Sequence, residues 1–514
     1  MNAFRATASV LVVATALAVV GCSASSGSAP SAAPTAFVAQ TTINTVDPLL
    51  SDTIQNDVPS DLLYDSVVDY DDAGNLVPRV ATEWAISDDL TSVDLTLRDD
   101  ITFSDGSPLT SADVVYSMKR ILAAGVGAAS FLSGVADVTA PDATHVTITL
   151  KAPDATFLGA LSKVFVVNSA VVSSHEGSDN AQSWLAANAA GSGAYTLTSM
   201  TQAETIRMAL RTDAWQAVDG MPDTYVLQAF SDSSSLSTAL RGGAVNLGTL
   251  LAKDAQLFTG DSAYDVQSFD GVSGTYVYFN TRAGITADPR VREAISLAYD
   301  YQAHVDGILG GEGVVASSIL PPTGSCTVDL PARTQNVAKA TSLIEQAGVA
   351  GQSLTLVYQP NQPDHAAAAV LLQSNLKDIG LDVTLQTTTF PAYNDSLKSI
   401  DTTPALAIAN DRARYPEPYV MLNRQLNSAF VEKGSNRSQY SNPEVDALLA
   451  RAQTTPDAAA RCEVYSAIEK IVADDDAVMP LAFPDVTFVS SSDVSGVAYS
   501  PVRIQFDPMS VRVG

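Results

Sequence analysis

Positive charge, cysteine and aromatic residues are all scarce in this chain of 514 residues. It holds 28 Lys and Arg against 56 Asp and Glu, which gives a net charge of −28, and it has 3 Cys and 7% aromatic residues. A surface this acidic repels nucleic-acid phosphate and anionic lipid headgroups, so we expect no nucleic-acid partner. Hydrophobic residues still make up 46% of the chain, which excludes a disordered protein and supplies a large core.

Motifs of catalysis and metal binding are also missing. The sequence has no Walker-type phosphate loop and no G-x-S-x-G nucleophile elbow. Its histidines, His145, His175, His304 and His365, are far apart and lack the ligand spacing of a zinc site. We therefore predict no metal, no cofactor and no enzymatic activity. A secreted hydrolase is the alternative from a different class, and no motif supports it.

Only one long apolar run occurs, and it lies at the start of the chain. Residues 6–20 are largely apolar, which is shorter than the ~20 residues of a membrane span and typical of a signal peptide. The run closes with Val-Val-Gly-Cys, which matches a bacterial lipobox. We predict a lipoprotein signal peptide over 1–21 and lipidation of Cys22, and the alternative is a plain signal peptide in which Cys22 is incidental.

The segment after the signal peptide predicts how the protein is held. Residues 22–35 are rich in Ser, Ala, Gly and Pro, a composition typical of a flexible tether. We therefore expect the protein outside the cytoplasm, lipid-anchored to the outer face of the cell membrane.

Two cysteines remain in the body of the chain. Cys326 and Cys462 would stand in an oxidising compartment, where two thiols are candidates for one disulfide. The alternative is a pair of buried free thiols, and the sequence leaves both open.

Strand and helix patterns alternate through the rest of the chain. Residues 145–150 alternate polar and apolar side chains, as a half-buried strand does. Thr110 and Asp113 predict the capping box of a helix. Residues 354–358 and 383–385 predict strands on either side of a helix with an apolar stripe. Such βαβ units build parallel sheets covered by helices, so we predict an α/β fold with several lobes.

Within residues 78–120, the turn FSDGSPLT precedes a helix beginning SADVVYS. This stretch is the most specific of several ordered segments that resemble the bacterial extracellular solute-binding proteins of family 5. Further matches follow in order at residues 191–197, 275–300, 318–322 and 440–452. Each segment alone is ordinary structure, and their order along the chain carries the resemblance.

The resemblance implies a two-lobed periplasmic-binding-protein-like fold of type II, with an extra subdomain and a ligand cleft between the lobes. It places lobe I at 36–76, 190–268 and 480–514, the inserted subdomain at 77–189 and lobe II at 269–479.

The resemblance also implies a function. The protein would be the substrate-binding lipoprotein of an ABC importer, a monomer that captures a small peptide or peptide-like solute and delivers it to membrane permease subunits by hinge closure. The alternative within this class is the same receptor role for a non-peptide solute that is anionic, sugar-containing or a metal chelate.

One segment departs from the pattern of the peptide-binding members. They carry D-x-x-[ED]-P, whose Asp pairs with the ligand's ammonium, whereas this chain has Arg414-Tyr415-Pro416-Glu417-Pro418. Arg412 lies two residues earlier, and Arg favours carboxylate or phosphate. We therefore predict a ligand with an anionic group, or a peptide held in another frame, with Arg412, Arg414, Tyr415 and Glu417 at the site. The alternative is that Arg414 pairs with Glu417 or Asp411 at the rim.

Lobe I is expected to supply the segment that follows Asp47-Pro48. The resemblance places Asp52, Thr53 and Ile54 beside the ligand, and Asp52 is a candidate partner for a ligand ammonium. It also places Tyr276 and Asn280 at the border of the cleft.

Overall fold

Three sheets carry the fold of the computed structural model, which describes residues 34–40, 42–324, 326, 328 and 330–514. The predicted signal peptide, Cys22 and the tether up to residue 33 lie outside the described residues. Within the described part of the chain, no helix has both the length and the apolar composition that a membrane crossing requires.

The strands follow one another along the whole described chain. They are β1 (Thr35–Gln40), β2 (Val68–Tyr70), β3 (Leu76–Pro78), β4 (Ala81–Ile86), β5 (Ser92–Leu97), β6 (Val135–Asp142), β7 (His145–Leu150), β8 (Tyr195–Thr201), β9 (Thr205–Leu210), β10 (Thr224–Ala229), β11 (Leu247–Leu250), β12 (Tyr264–Phe269), β13 (Gly274–Phe279), β14 (Gly313–Val315), β15 (Ser353–Tyr358), β16 (Asp382–Thr387), β17 (Leu406–Asp411), β18 (Val478–Pro484), β19 (Val486–Ser491), β20 (Val494–Ser495), β21 (Tyr499–Ser500), β22 (Gln505–Phe506) and β23 (Arg512–Val513).

The helices cover the sheets and fill the connections. They are α1 (Ile54–Leu63), α2 (Ser111–Ala124), α3 (Ser169–Ser173), α4 (Gln182–Leu185), α5 (Ser233–Arg241), α6 (Ala252–Ala255), α7 (Pro289–Ala298), α8 (Tyr301–Ala303), α9 (Val337–Ala347), α10 (Pro363–Asp378), α11 (Phe390–Ser396), α12 (Pro418–Leu426), α13 (Pro443–Gln453) and α14 (Ala458–Asp474). Short 3-10 segments lie at Pro48–Leu50, Gly127–Ser130, Phe157–Lys163, Gln256–Phe258, Ile285–Ala287 and Ser428–Phe430, and a π-helical turn lies at His304–Ile308.

A seven-stranded sheet, in the order β12-β19-β11-β1-β10-β9-β8, forms the body that we call lobe I. Its strand β1 pairs in parallel with β10 and β11. Ala36 and Val38 join the core on one face of the sheet, whereas Phe37 and Ala39 pack against a second core on the other face. This alternation is the period of two that a strand imposes on its side chains.

A six-stranded sheet, in the order β14-β18-β13-β17-β15-β16, forms lobe II. All six residues of β13 are buried, because it lies between β17 and β18 and has both faces covered. The predicted βαβ unit is confirmed, since β15 and β16 pair in parallel and α10 connects them.

A four-stranded sheet, β4-β5-β7-β6, forms a smaller body with α2. The predicted capping box is confirmed, since Thr110 caps α2 and Asp113 bonds back to it. Val114, Met118 and Ile121 on one face of this helix join the core of the small sheet.

The chain passes between the two large sheets at two adjacent places. Residues 270–273 lead from β12 of lobe I to β13 of lobe II, and Asp485 leads from β18 of lobe II back to β19 of lobe I. The strands before and after these crossings pair with each other, β12 with β19 and β13 with β18. Two short crossings side by side give the geometry of a hinge between lobes.

Candidate ligand-binding cleft

A cavity of about 420 Å³ lies between the lobes, beside the two crossings. Phe269 and Tyr499 from lobe I and Leu320, Ala413 and Tyr415 from lobe II are among its lining residues. Its walls are mostly apolar, aromatic and proline side chains. Such a volume and lining are typical of a site for a small organic molecule.

Tyr415, one of the predicted site residues, packs against residues outside lobe II. Its ring packs edge-on against Phe131, with 5.7 Å between centroids, and stacks on Tyr70 at 6.5 Å. A Cβ atom added at Gly159 would clash with the hydroxyl of Tyr70 and stand 2.9 Å from the ring of Tyr415. A side chain at position 159 would therefore disturb the packing of these two rings.

One wall of the cavity carries Leu320 and Cys326 and is held against α14. A disulfide joins Cys326 to Cys462, with 5.3 Å between the Cα atoms. Of the two alternatives that the sequence left open, the structure shows the disulfide and not a pair of free thiols. Further along α14, the carboxylate of Glu469 accepts the N–H of Ile319 at 3.0 Å. Burial raises the pKa of Glu469 to about 7, although the hydrogen bonds from this wall oppose the rise. The wall is thus fixed by one covalent bond and one buried carboxyl group.

Asp411 ends β17 and lies buried among cationic and amide donors. Arg424 Nη2 is 2.5 Å from one carboxylate oxygen, and Arg437 Nη1 is 3.6 Å from the other. Gln425 donates a further hydrogen bond at 2.8 Å. Burial alone would raise the pKa of Asp411, but Arg424 and Arg437 hold it well below its usual range. This carboxylate is therefore fully paired within lobe II.

Arg412 and Arg414 follow on the segment that leaves β17. The Nε of Arg412 is buried and has no partner among the described residues. The guanidinium of Arg414 makes no hydrogen bond or ion pair to any described residue. Burial, together with the positive charges of Arg412 and Arg424, lowers the pKa of Arg414 to about 10. These two arginines therefore carry charge that the described chain does not fully balance.

Lobe I places two carboxylates close to these arginines. Asp57 on α1 forms a buried ion pair with Lys163, 3.1 Å apart, and its charge also acts on Arg412. One oxygen of Asp52 is buried with no partner among the described residues. Burial raises the pKa of Asp52, and the charge of Arg414 opposes this rise. The predicted residues Asp52, Arg412 and Arg414 thus form one charged cluster across the lobes.

Thr53 and Ile54, predicted beside Asp52, lie where α1 begins. Thr53 is at the N-cap position, and its exposed hydroxyl donates to the carbonyl of Leu50 at 3.2 Å. Ile54 is half-buried as the first residue of the helix.

Tyr276 and Asn280 are buried in lobe II with their polar groups occupied. The hydroxyl of Tyr276 donates to the carbonyl of Ile319 at 2.8 Å. The amide of Asn280 donates to the carbonyls of Ile400 and Thr403 at 2.9 and 3.1 Å. In this structure both side chains support the wall and the end of the sheet.

Glu417 lines the cavity, but its carboxylate is engaged within lobe II. It caps α12 and lies 3.2 Å from Arg461. Glu417 forms an ion pair with Arg461, and Asp411 forms one with Arg424. Neither carboxylate forms an ion pair with Arg414, which was the alternative interpretation of the sequence.

Four charged residues of the cluster were not predicted from the sequence: Asp57, Lys163, Arg424 and Arg437. Arg424 had a usable signal, because Glu417-Pro418 predicts a helix start that carries Arg424 toward the end of β17. The others reach the site from distant parts of the chain.

Two lobes joined by adjacent crossings, with an apolar cavity and a charged cluster between them, define a protein that encloses a small solute. Among the described residues, no group of three or more His, Cys, Asp or Glu is placed to hold a metal ion. The chain belongs to the bacterial extracellular solute-binding proteins of family 5, whose middle-region model matches residues 75–432. This confirms the predicted family and two-lobed fold, and it places the chain among solute-binding proteins and not among enzymes.

Two of the relatives are named as periplasmic peptide-binding proteins. The chain is 29% identical over 431 residues to the probable D,D-dipeptide-binding periplasmic protein DdpA of Escherichia coli, covering 83% of each chain. It is 27% identical over 454 residues to the periplasmic murein peptide-binding protein MppA of the same organism, covering 82% of each.

A solved structure with the same fold is the periplasmic binding protein DppA of Helicobacter pylori in complex with the peptide STSA. The TM-score is 0.81 at 21% identity, and the match covers 93% of this chain and 98% of that one. At this identity the likeness supports the fold alone.

Proposed function

We propose that this protein is the lipid-anchored receptor of an ABC importer, which captures peptide-like solutes outside the membrane and delivers them to permease subunits. The relatives named for D,D-dipeptides and murein peptide support the peptide class. The lipobox at Cys22 and the tether over 22–35 support an anchor on the outer face of the cell membrane.

The observation that carries the proposal is the cavity between the lobes. Its volume of about 420 Å³ falls within the range of ligand pockets. Aromatic walls at Tyr415 and Tyr499 suit the side chains and backbone of a short peptide, and the adjoining Arg412, Arg414 and Asp52 suit its charged ends.

The mechanism is binding followed by closure. In this proposal lobe I comprises 36–76, 190–269 and 486–514, the inserted subdomain 77–189 and lobe II 274–484, with the lobe boundaries expected at 268/269 and 479/480 moved to the two crossings. A solute shifts the equilibrium toward the closed state only by its higher affinity for that state. The closed monomer then presents both lobes to the permease, and the tether raises its local concentration there.

A receptor for a non-peptide anionic solute is the second candidate. The unpaired guanidinium of Arg414 favours it, because an organic acid without a peptide bond would satisfy the same charge.

Isothermal titration calorimetry of the mature protein tests the proposal. The ligands are Ala-Ala, D-Ala-D-Ala, Ala-Ala-Ala, glutarate and the nickel–histidine complex. We expect a short peptide to bind with a Kd near the micromolar range, about −8 kcal/mol. Tyr499→Ala, which removes a ring from the cavity, should weaken binding by about tenfold or more. Phe390→Ala removes a ring that is 46% exposed outside the cavity and should leave affinity unchanged.

Other outcomes would overturn the proposal. Binding of the nickel complex or glutarate with inert peptides would move the solute to another class. Hydrolysis of a peptide during the titration would indicate an enzyme.

Membrane fractionation tests the lipid anchor. Cys22→Ser should move the protein from the membrane pellet to the supernatant, and unchanged fractionation would refute lipidation at Cys22.

A further inference from the structure

We propose that Arg412 and Arg414 form a subsite for a carboxylate of the solute, so that the receptor selects peptide-like acids by their anionic end. This inference rests on the proposed function, because it names the charge class of the ligand that the same cleft takes.

The ion pairs within the charged cluster do not include Arg412 or Arg414. Asp411 is taken by Arg424 and Arg437, with N–O distances of 2.5 and 3.6 Å. Arg412 and Arg414 are the two guanidiniums of the cluster that make no side-chain hydrogen bond or ion pair within the described part of the chain.

The charge balance of the cluster points the same way. Next to the two arginines, five cations, the four arginines at 412, 414, 424 and 437 together with Lys163, stand against Asp52, Asp57 and Asp411. Asp61, the next carboxylate along α1, is paired with Arg503, and the carboxylates of Asp72, Asp270 and Glu417 belong to the lining of the adjoining cavity. Burial is the main reason that the pKa of Arg414 is lowered, and the charges of Arg412 and Arg424 add to this effect. A ligand carboxylate would supply negative charge where the protein has too little, and guanidinium groups bind carboxylates by paired, charge-assisted hydrogen bonds.

The same charges disfavour an ammonium at this place. A ligand cation beside Arg414 would meet like charge in a half-buried site, where Coulomb interactions are stronger than in water. Asp52 lies close enough to Arg414 to offset part of its charge, yet one of its oxygens stays unpaired. Asp52 therefore competes weakly with a ligand carboxylate for Arg414.

The subsite also adjoins the apolar cavity. Arg412 lies near enough to Tyr499 for its charge to act on that phenol, and Tyr499 lines the cavity. Ala413, between the two arginines, lines it as well. Neither arginine is among the residues that line the cavity, so in this proposal the ligand extends from the cavity past Tyr499 to place a carboxylate on them.

Calorimetry with charge-matched ligands tests the subsite. The probes are acetyl-Ala-Ala-Ala, Ala-Ala-Ala and Ala-Ala-Ala-amide, which share one core and differ in their ends, with glutarate as an acid that lacks a peptide bond. We expect the two free acids to bind about 10- to 100-fold more tightly than the amide. Arg414→Gln should remove this preference, and Arg414→Lys should restore part of it.

Two further variants separate charge recognition from loss of structure. Asp52→Asn should raise the affinity for acetyl-Ala-Ala-Ala, which has no ammonium, by about two- to fivefold, because it removes a competing carboxylate. Arg290→Gln removes a guanidinium that is 49% exposed on α7, outside the cleft, and should change nothing. The melting temperature of ligand-free Arg414→Gln should equal or exceed that of the wild type, since Arg414 has no partner to lose among the described residues.

The outcomes distinguish this inference from the proposed function. Equal affinity for acids and amide in both wild type and Arg414→Gln would refute the subsite and leave the peptide receptor intact. Stabilisation by glutarate in the wild type, lost in Arg414→Gln, with no peptide bound, would support the subsite and refute the peptide class. Binding of none of the four probes would overturn both.

Discussion

Replacement of Glu469 by glutamine should stabilise the protein at pH 8 and have almost no effect at pH 4.5. Glu469 lies on α14 with 1% of its surface exposed and accepts a hydrogen bond from the N–H of Ile319 at 3.0 Å. Its second oxygen is buried without a partner among the described residues. The carboxyl group that positions the cavity wall is therefore cut off from solvent, which disfavours its ionised form.

The size of the effect follows from the pKa. Burial raises the pKa of Glu469 from 4.5 to about 7, so the folded protein holds a proton that the unfolded chain has lost. Such a group contributes stability below pH 4.5 that disappears as pH rises through 7. The raised pKa costs about 3 kcal/mol of stability at pH 8, where Glu469 is ionised in both the folded and the unfolded state. Glutamine resembles the protonated form and does not ionise, so Glu469→Gln avoids that cost.

Urea unfolding followed by far-ultraviolet circular dichroism, at pH 4.5 and pH 8, measures the difference. Glu463→Gln is the matched control, because Glu463 is exposed on the same helix. We expect Glu469→Gln to gain about 3 kcal/mol over the wild type at pH 8, and Glu463→Gln to gain almost nothing. A stabilisation of Glu469→Gln that is the same at both pH values, or a loss at pH 8, would refute the reasoning.

Two further predictions concern the lobes and the disulfide. Gly159→Ala should put a methyl group against the Tyr70 hydroxyl and the Tyr415 ring and so disrupt their contact between the lobes, which should raise the radius of gyration measured by X-ray scattering and weaken peptide binding. Gly134→Ala, which has open space around it, is the control, and equal curves for the two variants would count against closure at Gly159. Replacing Cys326 and Cys462 together by serine should cost about 2–5 kcal/mol of stability. An unchanged calorimetric melting temperature would contradict that estimate.

Local signals predicted the elements well. The capping box at Thr110 and Asp113 and the strands around α10 appear where the sequence placed them, because caps and periodicity are short-range properties. The order of family segments predicted two lobes, which no single pattern could do. Tyr276, which was predicted at the border of the cleft, is buried because β13 lies between β17 and β18 with both faces covered. Its hydroxyl donates a hydrogen bond to the backbone carbonyl of Ile319.

Long-range pairings could not be predicted. Asp411 forms an ion pair with Arg437, and Ile319 donates a hydrogen bond to Glu469. Both contacts form only because the sheet of lobe II and α14 bring separate segments of the chain together. Arg414 illustrates the limit clearly. Its departure from the family pattern was visible in the sequence, but its lack of a partner depends on which carboxylates Arg424 and Arg461 occupy.

The central claim is that a peptide-like solute lies between the lobes with its carboxylate on the two arginines. A crystal structure of the protein with the most tightly bound free-acid peptide tests it most directly. We predict ligand density in the cavity beside Tyr415 and Tyr499, with a carboxylate within hydrogen-bond distance of Arg412 and Arg414. A peptide bound outside this cavity, or one with its ammonium at those arginines, would contradict the account.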